Sequence, residues 1–335
     1  MNTLVRTIAC ITLVLFLILS MSAKGEGGEM DTIRKPIIAG TWYPADPARL
    51  RADIAGYLAD ARVDAVEGKV MGVISPHAGY VYSGQVAAHA YKAAQGGAFD
   101  ALILIGPSHR AYFRGSSIYN GDGYETPLGI IPVDKALAGD IAAYSGGEVK
   151  LVPDDRLPEN SLEIQVPFLQ EIFGTVPFVP VLMGTQDLGT CRAVADAIIQ
   201  AVGDSRVLLI ASSDFSHYHS YERAVEMDSA ALEYIEKMDI EGFLRGIEGG
   251  RYEACGAGPV AVTTMVAKAM GADSVRILEY KNSGDVTGDK SGVVGYAAVV
   301  LYKKNGDGTD QWGNTGDGPD ETGTGFAPQE STGEY

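Results

Sequence analysis

Three apolar runs in this chain each end in a short turn that leads to a histidine. The runs cover residues 70–74, 101–105 and 207–211, and the histidines that follow them are His77, His109 and His217. Continuous apolar runs of this length are typical of buried parallel strands. Open α/β sheets bind their ligands beyond the carboxyl ends of such strands. Because the chain has only five histidines, this repeated placement predicts one pocket lined by these three.

Segments with helical spacing alternate with the strand-like runs. Further strands are predicted over 178–183 and 292–302, and helices over 48–61, 83–94, 161–173, 188–202, 222–237 and 259–270. Pro167 is expected either to kink the third helix or to mark its true start. The Gly- and Tyr-rich stretch 115–128 suits loops or a hairpin that covers a pocket. The alternation predicts an α/β fold, a three-layer sandwich around a mainly parallel sheet.

The two ends of the chain differ in composition from the middle. Arg6 precedes an apolar run over residues 7–22, and its length of about 16 residues fits a signal-peptide core better than a membrane span. Residues 1–23 are therefore predicted to be a signal peptide, or alternatively an uncleaved membrane anchor. The protein would then be exported, to the periplasm or outside the cell, or anchored to the membrane through this segment.

The remaining boundaries follow from the same reading. Residues 24–34 are predicted to be a linker and residues 35–304 a folded domain. Residues 305–335 are predicted to be a disordered acidic tail, since they contain few apolar residues. The tail carries seven acids and no base, and the whole chain has a net charge of −17. Acidity of this kind favours solubility, and without clustered Lys and Arg no nucleic acid partner is expected.

Side chains that can bind a transition metal accompany the strand-end histidines. His77 and His109 are the strongest ligand candidates because each follows a Pro-containing turn at a strand end. Cys255, in a glycine-rich turn before a helix, can complete the site as a soft thiolate. Asp214 and His217 share one loop, where they can supply a ligand and a base, or a carboxylate that orients an imidazole. We therefore expect a metal in the pocket.

Several alternative interpretations remain at this point. An exported protein could bridge Cys191 to Cys255 by a disulfide, although their different settings favour separate roles. Trp42 fits either the core or an aromatic wall of the site. His89 and His219 are expected outside the site. A serine hydrolase is disfavoured because no Gly-x-Ser-x-Gly motif is present, and the glycines after Cys255 lack the lysine of a P-loop.

Six spaced motifs between residues 34 and 304 resemble the Memo family, whose bacterial and archaeal members are called AmmeMemoRadiSam system protein B. The motifs are Gly-Thr-Trp-Tyr-Pro at 40–44, Ser-Pro-His-Ala-Gly-Tyr-Val-Tyr-Ser-Gly at 75–84, Gly-Pro-Ser-His at 106–109, Asn-Ser-Leu-Glu-Ile-Gln-Val-Pro-Phe at 160–168, Ser-Ser-Asp-Phe-Ser-His at 212–217 and Cys-Gly at 255–256. The resemblance implies a fold similar to class III extradiol dioxygenases, which open catechol rings at non-haem Fe(II).

The resemblance also implies a set of site residues. The implied ligands of iron or copper are His77, His109 and Cys255, with Asp214 in place of the thiolate as an alternative. Asp214 and His217 lie adjacent as catalytic residues, and His217 would act as acid and base. Two functions follow: a non-haem iron dioxygenase-like oxidoreductase, or a non-enzymatic protein that binds metal or peptide in the same pocket.

Trp42 falls on the tryptophan of the first motif and would line the same cleft. At Asn160 the family often has a histidine, and an asparagine cannot titrate in the neutral range, so no proton transfer is expected there. The partners implied are a small-molecule or peptide ligand in the metal pocket, together with AMMECR-type and radical-SAM companion proteins.

Overall fold

The computed structural model describes residues 32–152 and 159–305. The predicted signal segment or anchor over 1–23 lies outside the described residues, as do most of the predicted linker and all but the first residue of the predicted tail. Within the described part of the chain, no helix is long and apolar enough to cross a membrane.

Twelve strands form two sheets within the described residues. They are β1 (Ile33–Arg34), β2 (Gly68–Ser75), β3 (Ala101–Pro107), β4 (Ser116–Tyr119), β5 (Gly123–Thr126), β6 (Gly129–Pro132), β7 (Val149–Val152), β8 (Phe178–Met183), β9 (Val207–Ser212), β10 (His217–His219), β11 (Ser274–Asn282) and β12 (Val293–Lys304). β1, β5 and β6 make a small sheet. The large sheet has the order β10-β12-β2-β9-β3-β8-β4-β7, and β11 pairs with β12.

Ten helices pack around these sheets in the described residues. They are α1 (Pro47–Asp60), α2 (Tyr80–Ala94), α3 (Lys135–Tyr144), α4 (Asn160–Glu163), α5 (Val166–Phe173), α6 (Leu188–Val202), α7 (Tyr221–Glu236), α8 (Ile240–Glu248), α9 (Ala257–Ala269) and α10 (Ser283–Thr287). The predicted α/β architecture, with helices around a large central sheet, is thus confirmed. The sheet is parallel in its centre, across β2, β9, β3 and β8, and gains antiparallel pairs at both flanks.

The central strands are buried on both faces, which explains their continuous apolar sequences. Along β3, Leu102 and Leu104 point into a core covered by α1, α2 and α5. Ile103 and Ile105 point into the opposite core, covered by α3, α6, α7, α8 and α9. Successive side chains of a strand face opposite ways, so the alternation places the sheet as the middle of three layers.

Two local predictions need correction. The helix predicted over 161–173 is divided into α4 and α5, and Pro167 lies in the first turn of α5. The alternative that Pro167 marks a helix start is therefore right, since proline is well tolerated at that position. The stretch 115–128 contains β4, which joins the large sheet, and β5, which forms a hairpin with β6. α3, α8 and β11 are not predicted by the sequence patterns.

Buried Glu163 anchors the segment that precedes α1. Its carboxylate accepts hydrogen bonds from Arg34 Nη1 at 3.1 Å, from the backbone N–H groups of residues 37 and 38 at 3.0 Å, and from Tyr43 Oη at 2.9 Å. The side chains of Arg34 and Glu163 are 6% and 1% exposed. One carboxylate thus holds the N-terminal segment against α4.

We expect Glu163→Ala to lower the free energy of unfolding by about 3–5 kcal/mol, because it removes the carboxylate partner of a buried charge. The matched control is Glu171→Ala, which breaks the more exposed Arg51–Glu171 pair and should cost less than about 1 kcal/mol. Urea unfolding of the full chain measures both. Equal losses in the two variants would contradict the anchoring role of Glu163.

Candidate metal-binding site

The sheet topology brings the predicted strand-end residues to one edge. β2, β9 and β3 are neighbouring parallel strands, so their carboxyl ends meet. His77 lies two residues after β2, His109 two residues after β3 and Asp214 two residues after β9. Cys255 reaches the same place from the turn before α9. Residues far apart in the sequence therefore converge where the strand pattern predicts a pocket.

Three of these side chains are grouped as metal ligands would be. One donor atom each from His77, His109 and Cys255 lies within 4.8 Å of the other two. Cys255 Sγ is 3.1 Å from Nε2 of His77. The two imidazole rings meet nearly edge to face, with centroids 5.1 Å apart and planes at 81°. Two imidazole nitrogens and one sulfur thus face a common point.

His77 is held in a defined orientation. Its backbone N–H donates to Asp214 Oδ1 at 2.7 Å, and its Nδ1 lies 3.0 Å from Ser212 Oγ. Since the Ser212 hydroxyl donates its proton to Ser161 O at 2.6 Å, Nδ1 of His77 must be the donor in its pair with Ser212. Burial, and then the nearby His109 ring, lower the pKa of His77 to about 3. The ring is neutral, with the Nε2 lone pair directed toward Cys255.

His109 is oriented by Glu159, which precedes α4. The carboxylate accepts from the backbone N–H of His109 at 2.6 Å and contacts its Nδ1 at 3.0 Å. It also accepts from the backbone N–H groups of Asn160 and Ser161 at 2.9 Å. Burial alone would raise the pKa of Glu159, but the hydrogen bonds from His109 and Ser161 lower it to about 2. The ionised carboxylate can only accept, so Nδ1 of His109 carries a proton.

Asp214 and Cys255 are joined through their backbones. The Cys255 N–H donates to Asp214 O at 3.1 Å, and the Asp214 N–H points at Cys255 Sγ at 3.3 Å. Asp214 Oδ2 is 4.0 Å from His77 Nε2. Burial raises the pKa of Asp214, against the effect of its hydrogen bond from His77, and burial likewise raises the pKa of the Cys255 thiol. Asp214 therefore lies beside the three grouped donors and is not one of them.

A cavity of about 1020 Å³ opens beside these donors. Of the described histidines, His77, His109 and His217 line it. The residues predicted for the site that also line it are Asp214 and Trp42. Trp42 contacts the core cluster around α1 and α2 as well, so it is both a packing residue and part of the wall. The hairpin of β5 and β6 takes no part in the lining, in contrast to the expected cover over the pocket.

His217 is placed apart from the three donors, on the cavity wall. Its backbone N–H donates to Glu253 Oε2 at 3.1 Å. His219 points elsewhere, as expected, and its Nε2 pairs with Glu253 Oε1 at 2.9 Å. His89 lies within α2, where its ring contacts Gln85 O at 2.9 Å. Both therefore lie outside the group of donors.

The two cysteines of the folded domain are free thiols. Cys191 is buried in α6, where its Sγ contacts Gln186 O at 3.5 Å, while Cys255 faces His77. The alternative of a Cys191–Cys255 disulfide is therefore not what the structure shows.

Sequence reasoning missed the residues that hold the ligands in place. These residues are Glu159, Gln165 and Ser212, which lie in or beside the motifs at 160–168 and 212–217. The motifs alone do not indicate what these three side chains do. The Gln165 amide donates to Pro76 O at 2.9 Å and to Ser212 Oγ at 2.8 Å, and its oxygen accepts from Ser75 Oγ at 3.1 Å. Five of the seven residues at 159–165 are polar, and the structure buries all seven. The sequence shows the polar residues but not their burial.

We predict opposite tautomers for two otherwise similar histidines. His109 and His219 have side chains 35% and 34% exposed, and each pairs with a glutamate. In the metal-free protein His109 should carry its proton at Nδ1 and His219 at Nε2. The pKa of Glu159 and the pKa of Glu253 are both lowered, so each carboxylate is ionised and accepts a hydrogen bond from the ring nitrogen that it contacts. Long-range ¹H–¹⁵N NMR above pH 7 distinguishes the two forms.

The signals in that experiment are assigned with the His109→Ala and His219→Ala variants. Detection of the Nε2–H form of His109 would contradict the assigned role of Glu159.

Comparisons with known proteins agree with the family that the motifs resemble. The family model described as Memo-like protein matches residues 34–300. A MEMO1 family protein of Methanopyrus kandleri is 38% identical over 287 residues, covering 81% of this chain and 99% of that protein. A MEMO1 family protein of Methanosarcina acetivorans is 37% identical over 272 residues, covering 80% and 99%. One of Methanothermobacter thermautotrophicus is 39% identical over 274 residues, covering 79% and 99%. The chain therefore belongs to the Memo family.

Proposed function

We propose that this protein binds a redox-active transition metal, iron(II) or copper, through His77, His109 and Cys255, and acts as an oxidoreductase on a small molecule in the adjoining cavity. The observation that carries the proposal is the convergence of three donor atoms within 4.8 Å, two of which belong to His77 and His109 in the wall of a cavity of about 1020 Å³. A ligand in that cavity would lie directly beside the metal.

The chemistry of the donor set fits such a metal. Imidazole nitrogen suits iron and copper, and thiolate favours the softer of these ions. Ligating histidines in metalloproteins are typically oriented by a hydrogen bond at their other ring nitrogen. Here Ser212 holds Nδ1 of His77 and Glu159 holds Nδ1 of His109, so both Nε2 atoms remain available. This pre-set orientation supports metal binding.

The remaining site residues have roles around the metal. When bound, the metal supplies electron transfer and Lewis acidity. Glu159 fixes the His109 ring, and Asp214 fixes the backbone of both His77 and Cys255. His217, on the cavity wall, is the group placed to take a proton from the ligand or return one to it.

A second candidate function is binding without catalysis, of a metal or of a peptide in the same cavity. One observation favours it: Asn160 lines the cavity and is 6% exposed, but its amide cannot transfer protons at neutral pH. Proton transfer would then depend on His217 and Asp214, which also line the cavity.

We expect His77→Ala and His109→Ala to abolish tight metal binding while the fold is kept, because each removes one of three donors. The matched control is His219→Ala, since His219 is as exposed as His109 and also pairs with a glutamate. Metal content after anaerobic loading with iron(II) or copper(I) is measured by elemental analysis, with circular dichroism to check folding. Stoichiometric metal in both variants would disprove the ligand assignment.

Oxygen uptake distinguishes catalysis from simple binding. The iron(II)-loaded protein is expected to consume oxygen with at least one catechol, and His217→Ala should slow this by roughly 10²–10⁴-fold, as for loss of a general acid–base, with metal content unchanged. Uptake is followed with an oxygen electrode over a panel of diols. If metal stays bound and no diol is consumed, the enzymatic proposal fails and the binding function stands.

A further inference from the structure

Two buried polar side chains in the cavity wall have no protein partner. Tyr296 is 2% exposed and Asn160 is 6% exposed, and both line the cavity. Within residues 32–152 and 159–305, neither the Tyr296 hydroxyl nor the Asn160 side-chain amide forms an intramolecular hydrogen bond. Neither group is among the fully buried side-chain atoms that lack a partner, so both polar ends are accessible from the cavity and are free to bond a ligand there.

Two other tyrosines of the same wall have hydrogen-bond partners within the protein. Tyr43 Oη donates to Glu163 at 2.9 Å, and Tyr57 Oη donates to the backbone oxygen of Tyr80 at 3.1 Å. The hydroxyls of those tyrosines therefore have a structural role. The Tyr296 hydroxyl and the Asn160 amide have no such role, although these two side chains are about as buried as that of Tyr43.

Both groups lie next to the metal-binding residues. Asn160 directly follows Glu159, whose carboxylate holds His109. Tyr296, on β12, is close enough to Asp214 for the carboxylate to act on it: burial, and then the charge of Asp214, raise the pKa of the Tyr296 hydroxyl. The hydroxyl therefore keeps its proton and is a hydrogen-bond donor.

We propose that Tyr296 Oη and the side-chain amide of Asn160 bind the ligand of this cavity, a planar organic molecule that carries at least two oxygen atoms. Tyr296 donates to one oxygen, and Asn160, which can donate and accept, pairs with the other. Aromatic side chains in the wall, among them Trp42 and Tyr82, favour a planar molecule because rings stack against flat surfaces. The inference rests on the proposed function only in placing this ligand beside the metal.

The test uses 4-nitrocatechol, a coloured planar probe with two adjacent oxygens, titrated by absorbance against the full chain without oxygen. Both iron(II)-loaded and metal-free forms are titrated. Tyr296→Phe and Asn160→Ala should each raise the dissociation constant about 3- to 10-fold, the loss of one hydrogen bond. In the double variant the two factors should multiply, since the groups contact different atoms of the probe.

The matched control is Tyr302→Phe, on the same strand, whose half-buried ring packs against the same core cluster as Tyr296 but lies outside the cavity lining. This change should leave probe affinity unaltered. Thermal unfolding tests whether Tyr296 has a purely structural role. Because Tyr296→Phe removes no hydrogen bond within the protein, its unfolding midpoint should match that of the wild type. A lowered midpoint with unchanged probe affinity would overturn the inference.

Failure of the inference and failure of the proposed function give different results. If the wild-type chain retains neither iron nor copper, the metal function fails, and the metal-free titrations still compare Tyr296→Phe and Asn160→Ala with wild type. If iron is retained in every variant and both substitutions leave the dissociation constant unchanged, the inference fails alone. Absence of probe binding to either form of the wild-type chain also overturns the inference.

Discussion

The buried polar segment 159–165 positions most of the candidate site. Glu159 orients His109 through two hydrogen bonds, and Gln165 joins the ends of β2 and β9 by bonding Pro76 O and Ser212 Oγ. Buried hydrogen bonds are costly to leave unmade, so the segment and the strand ends hold each other in one arrangement. Both candidate ligand histidines depend on this arrangement, His109 directly and His77 through Ser212.

The same segment connects the site to the rest of the fold. Glu163 binds the chain around residues 34–43, which includes Trp42, and Ser161 Oγ donates to Pro107 O at 2.8 Å, next to the end of β3. Glu159, Glu163 and Gln165 thereby bond three different parts of the structure: His109, the segment before α1, and the ends of β2 and β9. Glu159 precedes α4, Glu163 is its last residue and Gln165 follows it, and each of the three side chains bonds separate partners.

Much of the framework could be predicted from the sequence because it depends on burial. The strand over 178–183 and the helix over 188–202 have the predicted bounds, since apolar periodicity reports directly on which side chains face a core. The convergence of His77, His109 and Asp214 follows from a general property of parallel strands. Cys255 could be proposed from its chemistry but not positioned, because no strand leads to it.

Other elements could not be predicted because tertiary contacts specify them. β11 is partly exposed along nearly its whole length, so its sequence shows no clear apolar pattern, and only its pairing with β12 defines it as a strand. α8 follows α7 after a tight reversal at Met238, which has a φ of 50°, and periodicity does not reveal such a turn. The roles of Glu159 and Gln165 depend on partners about 50 and 90 residues away, and a local pattern carries no information about them.

The candidate donors of this site differ in their exposure to solvent. The side chain of His77 is 4% exposed, whereas that of His109 is 35% exposed. Structural zinc sites typically enclose the ion with four protein ligands, while catalytic sites offer three and leave a position open. Among the described residues this site groups three donors, with the neighbouring Asp214 fixed by backbone contacts. An ion held there would border the cavity that His77 and His109 both line, which is the arrangement that a ligand-binding metal requires.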